Sequence, residues 1–142
     1  MKITLISSVF LVAFLLLFSC NKEEPIENIA GEYSASFYFD FSGAGITGNS
    51  EGNISSLTIT QTEGSIVVKG VPGSIDSNNN VTFSGDFLGD GVQNFTGSYN
   101  PSNGTISGSL NGTYEIDVWS GYSMQSVTVT ISNGTCTLTP LD

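Results

Sequence analysis

The stretch Gly31-Glu32-Tyr33-Ser34-Ala35-Ser36-Phe37-Tyr38-Phe39-Asp40-Phe41 carries the clearest secondary-structure signal in the chain. Its side chains alternate between two sets. The first set is apolar and comprises Tyr33, Ala35, Phe37, Phe39 and Phe41. Because successive side chains of a β-strand point to opposite faces, this period of two predicts a half-buried strand. The sequence therefore predicts that these rings lie on the inner face of a β-structure.

Further alternating segments follow, and turn signals separate them. The segments are centred on Leu57 and Ile59 or cover residues 65–71, 92–100, 105–110, 113–119, 127–131 and 135–139. The turn signals are Thr62-Glu63-Gly64, Pro72-Gly73, residues 76–80, Gly89-Asp90-Gly91, Pro101-Ser102-Asn103-Gly104, Asn111-Gly112, Ser120-Gly121 and Asn133-Gly134. Residues 43–53 contain four glycines, which predicts a mobile loop, with a flap over one end of the fold as the alternative.

A short motif of an apolar residue, a polar residue and a glycine recurs along the middle of the chain. Its copies are Val68-Lys69-Gly70, Phe83-Ser84-Gly85, Phe95-Thr96-Gly97 and Ile106-Ser107-Gly108. Inward glycines give room where strands bend or crowd in a curved sheet. Eight or nine strands with mostly short connections predict an all-β protein, a single small antiparallel up-and-down β-barrel over residues 31–142. Such a barrel leaves no open edge. A β-sandwich is the alternative.

The N-terminal segment has the order of a secretory signal. Lys2 precedes an apolar run over residues 9–18, and the small residue Ser19 follows. The run is shorter than the roughly 20 residues that span a membrane. Leu17-Phe18-Ser19-Cys20 resembles the lipobox of bacterial lipoproteins. The resemblance implies a signal peptide over residues 1–19, a lipid-modified (palmitate-bearing) Cys20, and a flexible tether over residues 20–30.

Lys22-Glu23-Glu24 follows the cysteine directly. It resembles the surface-export signal of outer-membrane lipoproteins of the Bacteroidota, a lysine followed by two acidic residues. This resemblance implies a lipid-anchored protein on the outer face of the outer membrane. The periplasmic leaflet is the alternative location.

Gly31-Glu32-Tyr33 at the start of the first strand resembles the Gly-x-Trp opening of the lipocalins, with Tyr33 in place of tryptophan. The rhythm of turn, strand and glycine over residues 29–142 is similar to that of small lipocalin-like lipoproteins of the Bacteroidota. The resemblance implies a small apolar ligand inside the barrel. Phe37, Phe39 and Phe41 are then candidate ligand-binding residues, and the alternative is that these rings fill the core.

Composition narrows the possible functions. The mature chain has two lysines against 13 carboxylates, a net charge near −11, and it contains no arginine. Phosphate binding needs clustered lysine or arginine, so we expect no nucleic-acid partner. The chain has no histidine, which excludes histidine-based triads and histidine metal sites. We expect no metal or other cofactor.

Three residues remain as candidates for enzyme chemistry. Cys136 lies in an alternating segment, and we expect it to be a small buried core residue rather than a nucleophile. Glu115 and Asp117 share one face of a strand, about 6–7 Å apart, which overlaps the carboxylate spacing of inverting glycosidases. Any acidic pair at this spacing on a strand would do the same, so we expect a protein without enzymatic activity.

Trp119 and Tyr122 flank the turn signal Ser120-Gly121, and by alternation Trp119 points outward. Exposed aromatic side chains at a hairpin tip stack on sugar rings or anchor protein partners. The alternative is packing over one end of the barrel. The sequence thus predicts a surface lipoprotein that binds a small apolar ligand or a glycan. The alternative is a non-enzymatic structural or interaction protein (an adhesive module or a protease inhibitor) with a filled barrel.

The anchor gives the first testable prediction. Replacement of Cys20 by alanine removes the only site for the acyl chains, and these chains supply about 0.8 kcal/mol per buried CH₂ group. We expect the Cys20→Ala variant to leave the membrane fraction for the soluble fraction. If the variant still sediments with outer membranes as the wild type does, the predicted lipid anchor is wrong.

Overall fold

A computed structural model describes residues 24–142. The described chain contains eight β-strands and no helix. The strands are β1 (Gly31–Gly43), β2 (Ile46–Thr62), β3 (Ser65–Val68), β4 (Val71–Ile75), β5 (Asn80–Gly85), β6 (Gln93–Asn100), β7 (Thr105–Trp119) and β8 (Met124–Pro140). Each strand pairs antiparallel with the next, and β8 pairs with β1. The predicted all-β up-and-down barrel is therefore confirmed, and the sandwich alternative is excluded. The signal peptide, Cys20, Lys22 and Glu23 lie outside the described residues.

The alternation of strand directions gives the barrel two distinct ends. The chain enters β1 and leaves β8 at one end, here called the tether end, where Ile29 is buried. The Tyr33 hydroxyl donates a hydrogen bond to the Ile29 carbonyl over 3.0 Å, and the Ile29 amide donates to Oε1 of Gln61 over 2.7 Å. The turns β1–β2, β3–β4, β5–β6 and β7–β8 lie at the opposite end, here called the far end.

The apolar set of the first strand faces the barrel interior, as the alternation predicts. Tyr33, Ala35 and Phe39 are buried, and Phe37 and Phe41 are partly buried against the core. All the other strands contribute to this core. Their buried members include Leu57, Ile59, Ile66, Val68, Val71, Ile75, Val81, Phe83, Phe95, Ile106, Leu110, Ile131 and Leu138.

Inward glycines allow the strands to approach closely. Gly97 of β6 and Gly108 of β7 lie opposite each other. A Cβ atom on Gly97 would lie 2.6 Å from Cζ of Phe95 and 2.8 Å from Cα of Gly108, which real Cβ atoms do not tolerate. These two copies of the motif therefore provide the room that the sequence predicts. The Val68-Lys69-Gly70 copy is different, because Lys69 and Gly70 form the β3–β4 turn.

The predicted mobile loop over residues 43–53 is wrong. Those residues continue β1 and β2, and only Ala44 and Gly45 form the turn between them. Both turn residues have positive φ angles, of 50° and 78°, as tight hairpins require. Gly48 and Gly52 are strand residues opposite Phe41 and Phe37. A Cβ atom at either glycine would lie 2.7 or 2.6 Å from Cζ of the facing ring, so the missing side chains make room for the rings.

The two predicted turns at Asn-Gly pairs are also wrong, because β7 and β8 run through them without interruption. Leu110 pairs with Gly134, and Gly112 pairs with Ile131, so β8 contains one extra residue at this point. Asn133, with a φ of 50°, lies in this β-bulge, and its Nδ2 atom donates a hydrogen bond to Oδ2 of Asp40 over 2.9 Å. The Asn-Gly signal here marks a bend within strands.

The turn expected at Pro72-Gly73 lies three residues earlier. Lys69 and Gly70 have φ angles of 51° and 83° and connect β3 to β4. Pro72 is a strand residue that pairs with Val67, and Gly73 pairs with Phe83. The predicted strand over residues 65–71 is therefore divided between two short strands.

The barrel is closed, but its strands differ greatly in length. β2 pairs with β3 only from Ile59 to Thr62, because β3 contains just four residues. Within the described chain, residues 46–57 of β2 have no strand partner on the side away from β1. The expectation of a barrel without an open edge is therefore wrong for this part of β2.

The crowding at Gly97 and Gly108 gives a prediction on stability. A methyl group at position 108 would overlap the Thr96 carbonyl oxygen and the Gly97 Cα atom, and this backbone cannot move away as a flexible side chain can. We expect Gly108→Ala to lower the free energy of unfolding by about 1–3 kcal/mol. The control is Ser98→Ala, an exposed position on β6, with an expected change within about 0.5 kcal/mol. Urea unfolding measures both, and equal stability of the two variants would contradict the proposed crowding.

Candidate functional site

The barrel interior is filled by aromatic and aliphatic side chains. Phe39 is fully buried, and its ring stacks on Phe37 at 6.1 Å and meets the edge of Tyr114 at 5.4 Å. On the facing wall, Phe83 stacks on Phe95 with ring centroids 4.6 Å apart. Phe37, Phe39 and Phe41, the candidate ligand-binding residues of the interior, thus pack as core residues. Their arrangement corresponds to the alternative in which the rings fill the barrel.

The connection between β5 and β6, residues 86–92, closes the interior at the far end. Gln93, a fully buried side chain, holds this connection in place. Its Oε1 atom accepts hydrogen bonds from the amides of Phe87 (3.0 Å) and Leu88 (2.9 Å). Its Nε2 atom donates to the carbonyls of Asp90 (3.2 Å) and Thr113 (2.9 Å). Every hydrogen-bonding valence of the amide is used, so its burial carries little penalty.

Gln93 is a functional element that the sequence interpretation missed. The available signal was a polar residue at an inward position, in the series Gln93, Phe95, Gly97. Because the Gln93 amide fixes the residue 86–92 connection, Phe87 is held fully buried beneath it. The connection thus covers the aromatic interior at its far end.

The most exposed aromatic side chains lie at the far end, on the β7–β8 hairpin. Trp119 is 64% exposed, Tyr122 is 97% exposed, and Met124 is 59% exposed. Trp119 and Met124 are cross-strand partners, and Tyr122 lies in the turn between them. These three residues are called the tip surface below. The prediction that Trp119 points outward is confirmed, and the alternative of packing over the barrel end does not apply to it.

A cleft of about 310 Å³ lies next to the tip surface. It is lined by Asp90, Tyr114, Glu115, Ile116, Asp117 and Ser126. Glu115, Asp117 and Trp119 are alternate residues of β7, so the two carboxylates and the indole follow one another along the same outer face of the strand. The Ser126 hydroxyl donates a hydrogen bond to Oε2 of Glu115 over 3.2 Å. The cleft therefore combines carboxylate and hydroxyl groups beside an aromatic surface.

The charge around the cleft is negative and largely unopposed. Lys69 is the only cationic side chain in residues 24–142. Its ammonium group donates a hydrogen bond to the Phe87 carbonyl over 3.2 Å. Carboxylates without opposing cations repel anionic ligands and favour neutral or cationic ones. Among the described residues, no group of three acidic, cysteine or histidine side chains is arranged to hold a metal ion.

Cys136, which the sequence predicts to be a core residue rather than a nucleophile, is buried. Cys136 is 1% exposed, as expected of a core residue. Burial raises the pKa of its thiol to about 12, so the reactive thiolate is absent at neutral pH. Glu115 and Asp117 lie on the outer surface of β7, in the cleft described above. The structure places Cys136 far from this pair in the sheet, near the tether end of β8.

Comparison with models of protein families finds no match, and searches of curated proteins and of solved structures also find none. Residues 24–142 contain no helix that is long and apolar enough to cross a membrane. Glu24, the last residue of the predicted export signal, is exposed and precedes the first strand.

The burial of Cys136 gives a prediction on reactivity. In the chain from Glu24 to Asp142, Cys136 is the only thiol. We expect an aromatic disulfide reagent at pH 8 to react at least about 100-fold more slowly with the native protein than with the protein in urea, because the native thiol is neutral and shielded. The Cys136→Ala variant, which has no thiol, is the control. Equal rates in the native and unfolded states would contradict the buried assignment.

Proposed function

We propose that the protein is a lipid-anchored cell-surface lipoprotein that binds a neutral glycan at the tip surface and the adjacent cleft. One observation carries this proposal. The largest exposed aromatic side chains are gathered at the far end of the barrel, while the interior is occupied by the protein's own side chains. Binding through the outer surface therefore requires no rearrangement of the core.

The chemistry of the tip surface suits a sugar. The face of an indole packs against the apolar C–H face of a pyranose ring, and Tyr122 offers a second ring beside it. Carboxylates at Glu115 and Asp117 accept hydrogen bonds from sugar hydroxyl groups, which fixes the orientation of the ligand. Because the cleft is lined by carboxylates and by no cation of residues 24–142, a neutral glycan fits this surface better than a sulfated or phosphorylated one.

The position of the tip surface supports the same proposal. The predicted anchor, Cys20, precedes the barrel at the tether end, and the tip surface lies at the far end. Residues 20–30 have a fully extended reach of about 35 Å. In an anchored barrel with this topology, Trp119 and Tyr122 lie at the end farther from the anchor, where the membrane does not obstruct access to a glycan.

A small apolar ligand inside the barrel has less support. Such a ligand would have to displace rings such as Phe39 and Phe95 that are fully buried and stacked on their neighbours. The filled interior also fits an interaction protein without enzymatic activity, which is the second candidate function. In that case the tip surface would contact a protein partner with basic residues, since the cleft beside it is acidic.

The proposed function predicts which substitutions weaken glycan binding. We expect the chain from Glu24 to Asp142 to be retained by a neutral polysaccharide or a glycan array. Trp119→Ala and Tyr122→Ala are each expected to weaken binding at least about tenfold, as loss of a central aromatic contact does. Asp117→Asn keeps the shape of the side chain and is expected to weaken binding less, because the amide oxygen still accepts hydrogen bonds.

The control is Tyr38→Ala, an exposed aromatic residue on the outer face of β1, away from the tip surface. This variant is expected to bind as the wild type does. Glycan binding that survives Trp119→Ala would contradict the proposed site. Absence of glycan binding, together with tip-dependent capture of a basic protein, would support the second candidate function instead.

A further inference from the structure

The open edge of β2 carries an inference that is independent of the glycan site. Residues 46–57 pair with β1 on one side and have no strand partner among residues 24–142 on the other. Unpaired strand edges template pairing with other chains, and soluble proteins usually protect them with lysine, proline or bulges. Residues 46–54 contain neither lysine nor proline, and Glu51 is their only charged residue. The register shift of β2 against β1 lies beyond this stretch, after Ile54.

The backbone groups available on this edge follow from the β1–β2 register. Gly43 and Ile46 close the two-residue turn, so their backbone groups bond to each other. In antiparallel pairs, bonded and non-bonded residues alternate. Thr47, Asn49, Glu51 and Asn53 therefore direct their amide and carbonyl groups away from β1, toward the open edge.

The sequence of this edge is nearly symmetric about Ser50. Residues 46–54 read Ile-Thr-Gly-Asn-Ser-Glu-Gly-Asn-Ile. When two such strands run antiparallel with Ser50 opposite itself, Ile46 faces Ile54 and Gly48 faces Gly52. The edge-directed residues also face one another in this register, which allows about eight backbone hydrogen bonds between the copies.

The charges select the same register. With Ser50 at the centre, each Glu51 carboxylate faces the Asn49 amide of the other copy, which can donate hydrogen bonds to it. A register centred on Glu51 also satisfies the backbone, but it places two carboxylates directly opposite each other. Like charges in that position are destabilising, so the Ser50-centred register is preferred.

We infer that the protein forms a two-fold symmetric dimer in which β2 of one copy pairs antiparallel with β2 of a second copy, centred on Ser50. The interface is isologous, so the contacts close on themselves and no fibre results. The dimer joins the two sheets into one continuous sheet. The tip surface lies on the β7–β8 hairpin, outside the interface, and stays free in both copies.

The net charge of each copy sets the conditions for this dimer. A chain with 13 carboxylates and few lysines repels its own copy at low ionic strength. Salt screens this repulsion, so the dissociation constant of the dimer falls as salt rises. Anchoring in one membrane raises the effective concentration of the copies, as linkage does in multivalent binding.

Charge substitutions at position 49 test the register. Sedimentation velocity of the chain from Glu24 to Asp142, which contains the whole closed barrel and its core, measures the dissociation constant in 0.5 M salt. Asn49→Lys places an ammonium group opposite the Glu51 carboxylate of the other copy, and the two-fold symmetry forms this ion pair twice. We therefore expect about a tenfold tighter dimer. Asn49→Glu places carboxylates opposite each other, and we expect about a tenfold weaker dimer. Ser98→Lys and Ser98→Glu make the same changes of charge on β6 and are expected to leave the ratio of the two constants near one.

A cysteine at the dyad gives a second test that does not depend on affinity. Directly opposed residues in a non-bonded antiparallel pair have Cα atoms about 4.5 Å apart, within the range that a disulfide spans. We expect Ser50→Cys to give a disulfide-linked dimer on mild oxidation, whereas Ser98→Cys stays monomeric on a non-reducing gel. Cys136 is buried and does not take part.

Two results would each overturn the inference of a β2–β2 dimer. A protein that sediments as a monomer up to about 1 mM in 0.5 M salt, and whose Ser50→Cys variant is not cross-linked, overturns the inference. A dimer that responds equally to the charge changes at positions 49 and 98 also overturns it, because its contacts then lie elsewhere. Neither result affects the glycan site, since Trp119 and Tyr122 are assayed separately.

Discussion

The fold depends on how eight strands fit around an interior that must hold large rings. The space for these rings comes from glycines that lie opposite or beside them. Phe41 lies over Gly48, Phe37 lies over Gly52, and Gly73 faces Phe83. A Cβ atom at these glycines would overlap the facing residue, so the rings and the backbone share the same space. The close packing that results leaves the interior to the protein's own side chains.

A filled interior moves the functional surface to the outside of the barrel. The Gln93 amide fixes the connection over residues 86–92, and Phe87 is buried below it. β7 and β8 extend past this connection, and their hairpin carries the exposed aromatic residues at the far end. The same difference in strand length leaves residues 46–57 of β2, within the described chain, without a strand partner on the side away from β1. The tip surface and the open edge of β2 thus have the same origin. The β1–β2 and β7–β8 hairpins are long, whereas β3, β4 and β5 between them are short.

Much of this architecture could be predicted from local sequence patterns. Alternation placed Phe39 inside and Trp119 outside, and the sequential up-and-down order followed from turns such as Ser120-Gly121, although two predicted turns are wrong and one predicted strand is divided. Patterns that depend on a distant partner could not be interpreted in this way. Gly48 signals a loop when it is considered alone, and only Phe41 across the hairpin makes it a strand residue.

The Asn133-Gly134 pair was misinterpreted for a related reason. The same dipeptide suits a tight turn and a β-bulge, and the length of the neighbouring strand decides between them. Gln93 was missed because its role depends on how the residue 86–92 connection folds back over it and on the distant Thr113 carbonyl, which local patterns do not reveal. The open edge of β2 could not be predicted either, since it depends on the relative lengths of β2 and β3.

The most direct test of binding at the tip surface is an amide NMR titration of residues 24–142 with a neutral oligosaccharide. We expect chemical-shift changes confined to Trp119, Tyr122 and the adjoining cleft, whereas changes centred on Phe39 and Phe95 would show an interior site and contradict binding at the tip surface.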